Sequence, residues 1–169
     1  MLRIIIHLRE GFRMDLYGKV FRDIKTNDIV LRPYNPDKEK YYELIKAAKN
    51  EGLKQVIINS EIMTSILYNT IEQDGIVLKV NMTENTDQDV KDNVQLIIKK
   101  LRYDKLVFSK LKDELEWAED SNSIDITSIE IYLHNKKYQI FSNGIVAGSD
   151  INKLFVNNIK AVLEEYFNG

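Results

Sequence analysis

The stretch ITSIEIYLHNKKYQIFSNG, residues 126–144, decides the fold class. Two runs that are rich in β-branched and aromatic residues flank a polar centre, which is the pattern of two strands joined by a tight turn. The polar residues place that turn near His134, Asn135 and Lys136. The stretch therefore predicts a β-hairpin, and with it an antiparallel sheet.

The first third of the chain predicts further strands. The segments LRIIIHL (2–8), LYGKVFRDI (16–24) and DIVLRPY (28–34) are rich in β-branched and aromatic residues, and a polar KTND turn separates the last two. We expect these strands to join the hairpin, so that strands from both ends of the chain form one mostly antiparallel sheet.

The segments that follow predict two helices. Asn35 is suited to the N-cap and Pro36 to the first turn of a helix that ends at Gly52. After a short strand, KQVIIN, Ser60 is suited to cap a second helix, which ends before Gly75.

A strand, GIVLKVNM (75–82), comes next. Its apolar residues alternate with a more polar set, so one side of the strand is expected to be buried. The residues predicted on that side are Ile76, Leu78, Val80 and Met82.

Three more helices are expected after this strand. Thr86 or Asp87 caps the first of them. Residues 104–119 fit a strand or a helix, and their Glu- and Lys-rich composition favours the helix, in which Trp117 is expected to pack on the core. The last helix, about 150 to 167, has Ser149 as its predicted N-cap and one apolar face. That face comprises Ile151, Leu154, Phe155, Ile159, Val162, Leu163 and Tyr166.

Length and composition favour one domain over residues 1–169. A chain of 169 residues with 44% hydrophobic content can bury a substantial core, and its polar breaks are no longer than ordinary loops. The predicted fold class is α+β, a mostly antiparallel sheet packed against several amphipathic helices.

The most motif-like stretch is FSNGIVAGSD, residues 141–150. A phosphate-binding loop is one interpretation of Gly144, Gly148 and Ser149, but the glycines are four apart and no Lys follows Gly148, unlike a P-loop. We favour a structural interpretation, in which Asn143 and Gly144 form a turn, Gly148 allows a bend and Ser149 caps the last helix.

Composition excludes several chemistries. The chain has no cysteine, which excludes disulfides, zinc–thiolate sites, iron–sulfur clusters and thiol nucleophiles. The two histidines, His7 in a strand and His134 in a turn, are expected to be structural. The acidic run DELEWAED (113–120) lacks the spacing of a calcium loop and is expected to be a solvated helix face. We predict no catalytic residue, metal site or cofactor.

The segment KKLRYDKLVFSKLK, residues 99–112, is the strongest electrostatic feature. Its cations with interleaved aromatic rings could hold a phosphate backbone while a ring stacks on a base. A solvated helix end is the favoured alternative, since the adjoining acidic run would repel phosphate. The candidate binding residues are Lys99, Lys100, Arg102, Tyr103 and Lys105.

Two segments resemble parts of known families. FSNGIVAGSD with its following helix resembles the strand–turn–strand–helix end of TATA-binding-protein repeats, but lacks the Lys after the glycine. IVLRPYNPDKEKYYELI, residues 29–45, is similar to the opening strand and helix of GNAT acetyltransferases, whose acyl-CoA-binding loop is absent downstream. We transfer no function from either resemblance.

The predicted function is a non-catalytic binding or regulatory module that acts through protein–protein contacts. An enzyme of unknown class with dispersed Asp, Glu, Tyr and His residues is the first alternative, and a nucleic-acid-associated protein using residues 99–112 is the second. The apolar start is broken too early for a secretory signal, so we expect a soluble, cytoplasmic protein that does not enter a membrane. A homo-oligomer is compatible with the sequence.

Overall fold

The hairpin predicted from residues 126–144 lies inside the main sheet in a computed structural model of the chain. Strands β7 (Ile126–Leu133) and β8 (Lys136–Phe141) are joined by His134 and Asn135, whose φ angles are 50° and 62°. Two successive positive φ angles define the type I′ turn that matches the twist of a hairpin. The predicted hairpin and its turn are confirmed.

In the part of the chain that the structure describes, the main sheet has seven strands, all paired antiparallel. Its path is β4–β3–β9–β8–β7–β6, and β5 pairs with the end of β3. Besides the two hairpin strands, the sheet contains β3 (Leu16–Asp23), β4 (Ile29–Tyr34), β5 (Leu53–Gln55), β6 (Ile76–Met82) and β9 (Ile145–Gly148). The pairing of β3 with β9 unites strands from the two ends of the chain, as predicted.

The structure describes residues 4–7, 12–14, 16–120, 125–151 and 153–169, with side chains from residue 16 onward except those of 119, 153 and 154. At the start of the chain, β1 (Ile4–His7) and β2 (Phe12–Met14) form a separate two-stranded sheet, so the expectation that the first predicted strand joins the hairpin is wrong. The side chain of His7 lies outside the described residues.

Within the described residues five α-helices cover the main sheet, so the α+β class is confirmed. Four of them share the main core with one face of the sheet, while α1 packs on Phe21 of the other face through Leu44 and Ala48. The helices are α1 (Tyr41–Asn50), α2 (Ser60–Glu72), α3 (Gln88–Leu101), α4 (Phe108–Asp120) and α5 (Lys153–Asn168). The favoured helix within residues 104–119 is therefore confirmed, and a short 3₁₀ turn, Lys105–Val107, precedes it.

Two predicted helix starts are wrong by a few residues. The Asn35 side chain accepts a hydrogen bond from the N–H group of Asp37, but Lys40 is extended and α1 begins only at Tyr41. Asn59, and not Ser60, is the N-cap of α2. The Ser60 hydroxyl instead accepts a hydrogen bond from the backbone of β7, because that buried N–H group needs a partner.

The predicted alternation along β6 is also wrong in part. Val77 and Val80 are buried, whereas Ile76 is exposed and Leu78 is only partly buried. The pairing of β6 with β7 shifts between Val77 and Lys79, and such a bulge changes which residues face the core.

The predicted N-cap of the last helix is wrong as well. Helix α5 begins at Lys153, so the exposed Ser149 lies too far upstream to cap it. The apolar face itself is confirmed at Phe155, Ile159 and Leu163, which are all buried in the main core.

Candidate functional site

The glycine-containing turn at residues 142–144 surrounds a buried cation. The side chain of Lys19, on β3, is fully buried, and its ammonium group donates hydrogen bonds to the backbone carbonyls of Val56, at 2.8 Å, and Asn143. Burial lowers the pKa of Lys19 to about 8, because the charged form loses its hydration. The turn thus offers one carbonyl oxygen to this positive charge, and Val56 offers the other.

Gly144 is required for this arrangement. Its φ angle is +78°, and a Cβ atom on it would lie 2.6 Å from the Lys19 ammonium nitrogen and closer still to the Val56 carbonyl. The N–H groups near the turn are already used, since Gly144 donates to Phe141 and Ile145 donates to the Asn143 side chain. A phosphate needs free N–H donors, so this geometry supports the predicted structural turn over a phosphate cradle.

Gly148 has a different role from the predicted bend. It lies in β9 opposite Tyr138, and a Cβ atom there would be 2.7 Å from the Tyr138 ring. The same ring stacks on Phe155, with centroids 3.6 Å apart and planes 3° apart. Burial, and then the nearby Asp150 carboxylate, raise the pKa of Tyr138 to about 12. The glycine therefore makes room for an aromatic stack that attaches α5 to the sheet.

Two cavities among the described residues are each too small for a metabolite. One small cavity lies between β3, β4 and α5, a second lies between α2, β7 and α5, and each has a volume of about 10 Å³. Such a volume holds about one water molecule. Within the described ranges, no group of three or more His, Asp and Glu side chains could hold a metal ion. His134 is exposed in its turn.

The junction between α3 and α4 brings the five candidate binding residues together. The last helical bonds of α3 run from Tyr103 and Asp104 back to the Lys100 carbonyl. The Asp104 side chain then accepts a hydrogen bond from the N–H group of Leu106 and starts the 3₁₀ turn. We name this surface the α3–α4 corner, and it consists of Lys99, Lys100, Arg102, Tyr103, Lys105 and Leu106.

Two apolar side chains protrude from the α3–α4 corner. The exposed fraction is 92% for Tyr103 and 86% for Leu106. All four cations of the corner are exposed as well, and Lys105 forms an ion pair with Asp74. Leu106 was not among the binding residues predicted from the sequence. Its position outside the apolar stripe of Phe108, Leu111 and Leu115 is a sequence signal that could have found it.

The acidic run on α4 is mostly solvent-exposed. Asp113, Glu116 and Asp120 are exposed, and Glu116 lies 3.5 Å from the Lys112 ammonium group. Trp117 is 62% exposed, so the expectation that it packs on the core is wrong. An acidic surface with an exposed aromatic ring therefore lies on the helix that follows the basic corner.

Comparison of the chain with family models, curated proteins and solved structures finds no match. Every helix in the described part of the chain falls short of the length and hydrophobicity that a membrane span requires.

Proposed function

We propose that this protein binds a protein partner through the α3–α4 corner and acts without catalysis. The exposure of Tyr103 and Leu106 carries the proposal. Single exposed apolar residues are common on protein surfaces, but here two side chains that are 92% and 86% exposed lie three residues apart at one junction between helices. Aromatic residues and Arg are enriched at the centres of protein interfaces, and the corner supplies both.

The charge of the corner indicates the chemistry of the partner. Three exposed cations, Lys99, Lys100 and Arg102, precede Tyr103 in the sequence. Cations at the rim of an interface attract an acidic partner and raise its rate of association. We therefore propose a partner that places an apolar side chain between carboxylates. The proposed setting is the cytoplasm, since a chain without cysteine does not depend on an oxidising compartment.

Nucleic acid is the competing ligand for the same residues. Tyr103 could stack on a base, and the neighbouring cations could contact phosphates. The net charge of −2 and the exposed carboxylates of α4 work against a polyanion. We therefore favour a protein partner and treat nucleic-acid binding as an outcome of the test.

Affinity purification with mass spectrometry tests the proposal. The bait is the full chain, compared with a Tyr103→Ser/Leu106→Ser variant, after nuclease treatment of the extract. A matched control, Ile24→Ser/Tyr42→Ser, removes side chains that are 63% and 64% exposed elsewhere. We expect a protein that the wild type and the control capture and the corner variant loses.

Equal capture by all three baits would contradict the proposal. So would capture that disappears after nuclease treatment, since this would identify nucleic acid as the bridging ligand. Circular dichroism of the three baits should show the same helix content, because all four substituted side chains are exposed.

A further inference from the structure

The outward face of α4 and the turn before it carries a regular pattern of exposed side chains. Leu106, Lys110, Asp113 and Trp117 are spaced by four, three and four residues, and all are exposed. This spacing places them along one face of a helix. The opposite face is buried and consists of Phe108, Leu111, Leu115 and Ala118. We name the exposed set the α4 outer stripe.

The α4 outer stripe is complementary to itself when its direction is reversed. In chain order it contains an apolar residue, a cation, an anion and an apolar residue. Lys110 and Asp113 form no ion pair with the residues that the structure describes, whereas Lys112 is paired with Glu116 beside the stripe. The stripe therefore has one charge of each sign available for a partner.

We propose that a second copy of this chain binds to the α4 outer stripe, with the two α4 helices antiparallel across a two-fold axis. In this arrangement Leu106 contacts the partner's Trp117, and Lys110 contacts the partner's Asp113. One register satisfies both contacts, because both pairs are centred on the same point between Leu111 and Lys112. A two-fold axis then repeats each contact, as an isologous interface requires.

The same register also uses the α3–α4 corner. Leu106 belongs to the corner and contacts the partner's Trp117, so the basic end of one copy lies near the acidic end of the other. The dimer thus deepens the proposed function and rests on it, because it names a second copy as a partner of the corner. Contact along one helix lies at the small end of interface areas, so we expect a dimer with a dissociation constant of about 10–100 μM.

Sedimentation equilibrium of charge variants tests the dimer. Lys110→Glu should place a carboxylate opposite the partner's Asp113 on both sides of the axis, and Asp113→Lys should likewise place an ammonium group opposite the partner's Lys110. Each variant alone should therefore self-associate at least tenfold more weakly than the wild type. An equimolar mixture of the two variants restores two opposite-charged pairs and should form a heterodimer. Lys46→Glu, on the exposed surface of α1, is the control and should dimerise like the wild type.

Three results would overturn the dimer. The first is a wild type that stays monomeric at about 1 mM, which is well above the expected dissociation constant. The second is single variants that self-associate as strongly as the wild type. The third is an equimolar mixture of the two variants that stays monomeric. If the wild type is monomeric but capture still depends on Tyr103 and Leu106, only the dimer fails. If capture fails as well, the proposed function fails with it.

Discussion

The ammonium nitrogen of Lys19 lies 2.8 Å from the backbone carbonyl oxygen of Val56, inside the protein. A second bond runs to the carbonyl of Asn143. Lys19 is on β3, Val56 follows β5 and Asn143 lies in the turn before β9. One buried cation therefore joins three segments that are far apart in the sequence.

This burial predicts how stability depends on pH. The folded-state pKa of Lys19 is about 8, compared with 10.5 for a free side chain. Between these values the unfolded chain binds the proton more strongly, so the free energy of unfolding should rise with pH. The slope from this group is at most about 1.4 kcal/mol per pH unit.

Urea unfolding between pH 8 and pH 9.5 measures the slope. Lys19→Met is the control, because it removes the titrating group, and it should lack the wild-type increase. Burial raises the pKa of Tyr138 from 10.0 to about 12 in the folded protein. Ionisation of this tyrosine in the unfolded chain therefore lowers the free energy of unfolding mainly above this pH range. Parallel curves for the two proteins would show that Lys19 does not titrate there.

Substitution of the turn glycine should be strongly destabilising. Gly144→Ala adds a methyl group at a positive φ and brings it against the Val56 carbonyl and the Lys19 ammonium group. Gly52 is a matched control, because its φ is +81° and no atom lies within 4 Å of an added Cβ. Gly52→Ala should cost about 1–2 kcal/mol, which is the backbone cost alone.

Thermal or denaturant unfolding compares the two alanine variants. Gly144→Ala should lose about 1–3 kcal/mol more than Gly52→Ala, because it also crowds a packed interior. Equal losses would show that the contacts around Lys19 yield easily to a methyl group.

Removal of the aromatic stack should cost more than removal of the expected helix cap. Phe155 is buried and stacks on Tyr138, so Phe155→Ala should lower the free energy of unfolding by about 3–5 kcal/mol. Ser149→Ala should change it by less than about 0.5 kcal/mol, because Ser149 is exposed and lies outside α5. Denaturant unfolding measures both values. A loss below about 1 kcal/mol for Phe155→Ala would contradict this packing.

Nucleic acid should bind the corner only weakly. At near-physiological salt we expect no complex with a dissociation constant below the values of about 10⁻⁴–10⁻⁶ M that are typical of non-specific binding. Changing Lys99, Lys100 and Arg102 together to Ala should weaken any residual binding. Fluorescence anisotropy with single- and double-stranded oligonucleotides across a salt series measures this. A sub-micromolar, sequence-dependent complex at about 150 mM salt would favour nucleic acid over a protein partner.

Local patterns predicted those elements that local interactions determine. The turn at His134 and Asn135 follows from polar residues that accept positive φ angles, and the buried face of α5 follows from helical spacing. The bulge in β6 could not be predicted, because it depends on how that strand pairs with β7.

The burial of Lys19 and the exposure of Trp117 could not be predicted either, because both depend on tertiary packing and not on local sequence patterns. A lysine in a strand is usually exposed, and the carbonyls that bind this one belong to distant segments. Trp117 is a large apolar residue, and only the packing of α4 shows that it faces outward. The cluster of cations around Tyr103 was predicted because its members are adjacent in the sequence.

Site-specific photo-crosslinking at position 103 tests the central claim most directly. Tyr103 is 92% exposed, so benzoylphenylalanine can replace it without disturbing the core, and the same replacement at Tyr42, 64% exposed, is the control. We predict that light produces a discrete protein adduct from position 103 and not from position 42. A second copy of the chain would appear as an adduct of twice the mass. An adduct with nucleic acid, or no adduct from position 103, would contradict a protein-binding corner.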